Sequence, residues 1–247
     1  MGKRKGFTLI ELLVVIAVIA VLLGILMPAL SAARKQAWGA VCKNGLRSIG
    51  MAMALYAEDN DYFIPRGVTG GNARPAEVWF LGFMPYLAQD KKQTDYRDVK
   101  IYKCPGFPDK RQTVCYVANA YDASINGEWD TTKQGPFKLT RYKRLAATIY
   151  LADNEHGDWR TIVEDTSDYL DRCDIYRASH MPSAPPEPGS TTTDIQARRV
   201  AQDRHVRGYN ALFADARVAQ VRTLKEGDQP AGRPTEEEEL RMWVFHK

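Results

Sequence analysis

The apolar and polar positions divide this chain sharply. Residues 7 to 33, FTLIELLVVIAVIAVLLGILMPALSAA, carry one charge, Glu11, and otherwise only apolar or small groups with Thr8, Pro28 and Ser31. A helix of about 20 apolar residues crosses a bilayer core, so this run is long enough to span a membrane. Lys3, Arg4 and Lys5 precede it, and positive flanks stay on the cytoplasmic side. The pattern predicts a single-pass helix with its N-terminus inside and the rest of the chain outside the cytoplasm.

From Arg34 the run changes character without a break. Ala37, Val41, Leu46, Ile49, Met53 and Tyr56 recur at helical spacing, with Arg34, Lys35, Lys43 and Arg47 between them. This predicts an amphipathic continuation over 34–60, bent where Gly39, Gly45 and Gly50 lower helix propensity. Asp59, Asn60, Asp61 and Pro65 end it. Its apolar face needs a sheet to cover it. Residues 61–247 then form one α+β domain outside the membrane. Residues 77–87 read as a short helix rich in aromatic core residues, Trp79, Phe80, Phe83 and Tyr86. Residues 113–121 and 146–152 read as strands, and 210–221 as a hairpin around Asp215, Ala216 and Arg217. Residues 181–195 are a Pro/Ser/Thr-rich loop, and the end of the chain reads equally as helix or strand.

Charge adds little. The balance is 34 basic against 30 acidic residues, net +4, with no basic run beyond Lys3, Arg4 and Lys5 that would select nucleic acid. Four cysteines, 42, 104, 115 and 173, show no C-x-x-C spacing. That argues against a thioredoxin-like pair or a zinc site read from spacing alone. Outside the cytoplasm disulfides are an option, and four cysteines allow three pairings.

A secretory signal places its cleavage site after the apolar run. Here the suggestive junction, Gly6-Phe7, lies before it, and Glu11 sits inside a membrane segment, where an ionisable group costs at least a few kcal/mol. Gly6-Phe7-Thr8-Leu9-Ile10-Glu11-Leu12-Leu13-Val14-Val15-Ile16 resembles the cleavage and methylation signal of type IV prepilins and type II secretion pseudopilins. The resemblance implies a leader at 1–6, cleavage after Gly6 by a prepilin peptidase and N-methylation of Phe7. It implies a transmembrane and filament-core helix at 7–33, kinked at Pro28. Glu11 would pair with the amino terminus of a neighbouring subunit, since opposite charges attract strongly at low dielectric and either alone is penalised. The implied fold is α+β: one long helix packed on an antiparallel sheet. The implied role is a structural subunit rather than an enzyme, with inner-membrane lipid and other pilin or pseudopilin subunits as partners.

Asn44, Leu46, Ile49, Gly50, Tyr56 and Phe63-Ile64-Pro65 share wording with this family, as does Cys104-Pro105. His205 and Asp215 resemble the H-x9-D-G signature of a large prepilin-like subtype, with Ala216 in place of Gly. Gly tolerates the positive φ of a type I′ turn and Ala does not, so the turn is expected to differ here. Relatives of the subtype suggest pairing Cys42 with Cys104, which leaves Cys115 for Cys173; free buried thiols are the alternative. His205 with Asp215 reads as a structural hydrogen bond at the hairpin entry, ahead of a catalytic or metal pair joined by His156 or His180.

Asp153, Asn154, Glu155 and Asp158 form a second acidic group. Calcium takes six to eight oxygen ligands, so a bound calcium stands as an expectation behind that of a solvated loop; no other cofactor is expected. A rival reading is a membrane-tethered domain that binds a ligand such as a glycan through Trp79, Trp129 and Trp159, and uses the pilin signal for export.

Overall fold

The computed structural model describes residues 8–65, 78–87, 95–120, 136–141, 143–155, 174–175, 199–202, 204–206, 208–222 and 242. Contacts divide the chain into two compact units, residues 1–37 and 38–247.

Helix α1, Leu9–Asp59, is continuous as the hydropathy predicts, with Pro28 inside it. Proline has no N–H, so one bond of the helical ladder is missing there. In the first unit the apolar side chains stand open: Leu9, Ile16, Leu22, Ile25 and Leu30 are all exposed. This is a helix long and apolar enough to cross a membrane.

In the second unit α1 buries a stripe of Cys42, Leu46, Ile49, Met53 and Tyr56. The predicted face is corrected at Val41, which is exposed, and at Cys42, which is buried instead. The helix runs unbroken through the glycines. Gly45 and Gly50 are points of close approach. A Cβ on Gly45 would lie 3.1 Å from the Ile101 carbonyl oxygen, and one on Gly50 would lie 2.9 Å from Leu212 Cδ1. The helix ends where predicted. Asn60 Nδ2 donates to the Tyr56 carbonyl at 2.8 Å, and Asp61 and Tyr62 take φ values of 53° and 63°. Asn and Asp tolerate that conformation better than most residues.

The chain then forms β1, Phe63–Ile64, and the short helix α2, Trp79–Phe83. Trp79, Phe80 and Phe83 are buried, as their pattern predicts. Trp79 packs edge-on against Tyr102 with centroids 5.3 Å apart, and the Tyr102 hydroxyl donates to the Phe80 carbonyl at 2.7 Å.

Five further strands follow the aromatic cluster and its 3-10 turns: β2, Tyr116–Asn119; β3, Phe137–Lys138; β4, Ile149–Asp153; β5, Asp174–Ile175; and β6, Gly208–Phe213. The last described strand is β7, Val218–Arg222. β1 and β3 pair antiparallel, with Phe63 opposite Lys138. The main sheet has the order β5-β2-β4-β6-β7. Four of its strands are antiparallel to their neighbours, while β5 adds a two-residue parallel edge on β2. β2, β4 and β6 are buried along their whole lengths, consistent with central strands covered on both faces. One core joins Leu46, Ile49 and Met53 of α1 to Tyr116, Leu151 and Leu212 of the sheet. A second, with Val117, Ala152, Tyr209 and Ala211, lies among the same strands. A long apolar helix with an antiparallel four-strand sheet is the α+β architecture the sequence implies.

Candidate functional site

Among the described residues, the donors close enough to share an ion are Cys42, Cys104 and His205; their ligand atoms lie within 4.8 Å of one another and all three residues are buried. Each comes from a different part of the chain. Cys42 is on the buried stripe of α1. Cys104 opens the Cys-Pro-Gly turn, closed by the Phe107 N–H donating to the Cys104 carbonyl at 2.9 Å. His205 precedes β6 and exchanges two backbone hydrogen bonds with Gly208, both 3.0 Å. Gly208 takes φ 151°, open to glycine alone here, since a Cβ would sit 2.0 Å from the Val221 oxygen. That glycine therefore sets the loop that delivers the imidazole.

His205 Nε2 lies 3.6 Å from Cys104 Sγ and 3.3 Å from Asp153 Oδ2. Asp153 ends β4, is fully buried, and also accepts the Asn210 N–H at 2.7 Å. The other oxygen of Asp153 and Nδ1 of His205 have no hydrogen-bond partner among the described residues. Arg204 covers this region. Its guanidinium stacks 4.1 Å above the Phe107 ring and donates to the Asn154 carbonyl. Cys115 is buried in the same small cluster as Cys42, Cys104 and Phe107.

The charge states follow from these contacts. The hydrogen bond from Cys42 holds the Cys104 thiol down to about 6 against the opposing effect of burial, with His205 helping. Burial pushes Cys115 up to about 12. Burial disfavours a charged His205, but hydrogen bonds to Asp153 and Cys104 outweigh it and raise the imidazole to about 9. This is not the geometry of a nucleophilic triad. A triad needs acid and nucleophile on opposite ring nitrogens, whereas here both face Nε2.

Several expectations are corrected. His205 does not pair with Asp215. Asp215 is exposed and accepts the Arg217 N–H at 3.1 Å within the hairpin turn. The hairpin itself forms, with Leu212 opposite Val218. Ala216 takes the positive φ expected of glycine, 67°, so the turn keeps its geometry despite the substitution. Asp153, Asn154 and Glu155 are buried rather than set in a solvated loop. Asp158 lies outside the described residues. Cys42 and Cys104 are brought side by side as free thiols. Cys115 is also free, and its candidate partner Cys173 lies outside the described residues. Trp79 is buried and offers no ligand platform. Trp129, Trp159, His156, His180, Gly6 and Phe7 lie outside the described residues. Sequence reading missed the partnership of His205 with Asp153 and Cys104, because no spacing rule links residues so far apart.

Within the first unit, Glu11 closes the first turn of α1. Its Oε2 accepts from the Thr8 N–H and hydroxyl, both at 2.8 Å. Both residues are exposed, so the carboxylate is held at the helix start and open to a partner.

The long N-terminal helix and the antiparallel sheet are consistent with a pilin-like α+β fold. Comparison with known proteins agrees. Residues 1–27 match the family model described as the prokaryotic N-terminal methylation motif. The chain is similar to the Type IV wide pilus major component PilA4 of Thermus thermophilus, 40% identical over 84 residues. That match spans 32% of this chain and 64% of the relative, so the chain covers less than two thirds of it. No solved structure matches the chain. The N-terminal segment of the chain is that of a type IV prepilin-like protein.

Proposed function

We propose that this protein is a filament subunit, made as a precursor and assembled into a type IV pilus-like fibre or a type II secretion pseudopilus. A prepilin peptidase cuts after Gly6 and the new terminus, Phe7, is methylated. Before assembly α1 anchors the subunit in the inner membrane, N-terminus inside and residues 61–247 outside. In the filament the same apolar side chains pack against neighbouring helices, and Pro28 relaxes the helix where its ladder lacks a bond.

The observation that carries this reading is Glu11. A carboxylate in an apolar segment calls for a partner. The methylated amine of the next subunit is a cation at the matching depth, and pairing the two fixes the stagger between subunits. Thr8 already orients the carboxylate through two hydrogen bonds. The exposure of Leu9, Ile16, Leu22 and Leu30 supports the same reading, since so much apolar surface requires lipid or a helix partner.

The test is Glu11→Ala in the native host, followed by shearing of surface filaments and fractionation of membranes. The variant should be processed normally, accumulate in the membrane and vanish from the sheared fraction. Wild-type filament yield from Glu11→Ala would overturn the assembly role.

A further inference from the structure

We propose that Cys42, Cys104 and His205 form a metal centre for zinc or a similar borderline-soft divalent ion, held through two thiolates and Nε2, with the buried Asp153 carboxylate beside the imidazole. This goes beyond the filament reading and does not depend on it.

Geometry points to the ion. Around tetrahedral zinc, bonds of about 2.3 Å to sulfur and about 2.0–2.1 Å to nitrogen put a sulfur and a nitrogen about 3.6 Å apart. The structure has Cys104 Sγ 3.6 Å and Asp153 Oδ2 3.3 Å from the same ring nitrogen, His205 Nε2. The sulfur–nitrogen distance is that edge of a zinc site. The second thiol, Cys42, falls inside the same 4.8 Å cluster.

A disulfide between Cys42 and Cys104 would account for two of these groups only. It leaves His205 Nε2 aimed at a sulfur that no longer carries charge, and leaves a buried carboxylate beside it. Two thiolates and an imidazole form a donor set that selects zinc over calcium or magnesium, which require oxygen.

Binding exchanges the protons held by the two sulfurs and by Nε2 for one divalent cation: the ion enters, those protons leave to solvent, and no electron moves. All three donors are buried, which keeps the ion away from bulk solvent and makes the centre structural. It staples the C-terminal half of α1 to the Cys-Pro turn and to the loop entering β6, three segments far apart in sequence. Metal bound only by the folded state stabilises that state.

The test uses the full-length chain extracted in detergent under reducing conditions. Metal content is measured as isolated and after incubation with zinc and desalting, and cobalt is then exchanged for zinc. We expect one tightly held ion per chain. Cobalt should give a thiolate charge-transfer band and intense visible bands of tetrahedral coordination. A strong chelator should lower the melting temperature by several degrees, and zinc should restore it. Cys42→Ser, Cys104→Ser and His205→Gln should each weaken zinc affinity at least tenfold, while Cys115→Ala should keep it. The chelator shift and cobalt spectrum are read on the wild type, so they stand even where a variant fails to fold. Overturning results are a chain that takes up no ion after zinc incubation, an octahedral cobalt spectrum, or a Cys42–Cys104 disulfide in the protein isolated from the native membrane with thiols blocked at lysis.

Discussion

His205 Nε2 stands 3.3 Å from Asp153 Oδ2, both side chains almost wholly buried, although one residue ends β4 and the other precedes β6. A buried acid beside a buried base is strongly coupled, because either one alone leaves a charge or polar group without compensation. In metal-free protein, Asp153→Ala and His205→Ala should each cost about 3 kcal/mol. The double variant should cost at least about 1 kcal/mol less than their sum. Asp215→Ala, which touches only its own turn, should cost less than about 1 kcal/mol. Urea denaturation of the four proteins checks this, and full additivity of Asp153 and His205 would refute the partnership.

Ala216 holds a φ of 67° in the β6–β7 turn. For an L-residue with a Cβ that conformation costs about 1–2 kcal/mol. Its methyl group is partly buried against the core, which offsets some of the gain on removing it. Ala216→Gly should therefore stabilise the domain by up to about 1 kcal/mol, read as a higher melting temperature. A fall in melting temperature would mean that the methyl contact outweighs the backbone strain.

Gly208 behaves in the opposite way. With a φ of 151°, any Cβ added here would lie 2.0 Å from the Val221 oxygen, so the β7 backbone leaves no room for a side chain. Gly208→Ala should cost about 3 kcal/mol or more, because the obstacle is backbone rather than a flexible side-chain tip. The β6–β7 ladder and the His205 loop should loosen together, visible as faster amide exchange at His205 and Tyr209. Near-wild-type stability would show that the loop can be re-formed without the glycine.

Much of this architecture is legible in the chain. The apolar run, its single carboxylate and the helical stripe to Tyr56 are local signals of fixed period, and α1 ends at Asp59 where Asn60 and Asp61 predict. The aromatic group at Trp79 to Phe83 and the β6–β7 hairpin are readable for the same reason. What escapes is set by contacts between distant segments. Gly45 and Gly50 read as weak helix formers, yet they serve the approach of Ile101 and Leu212. Asp153 reads as a loop carboxylate, yet it is fully buried against His205. The cluster of Cys42, Cys104 and His205 leaves no trace in spacing, since three separate elements bring it together. Asp215 sits at the motif's spacing from His205, but the hairpin turn carries it to the surface.

If the chain is a precursor whose mature subunit joins a filament, that subunit must begin at Phe7. Intact mass and N-terminal sequencing of the protein from its native membrane test this most directly. The predicted result is a chain that lacks Met1 to Gly6 and starts at an N-methylated Phe7. A mature protein that retains residues 1–6 would contradict it and make α1 an ordinary membrane anchor.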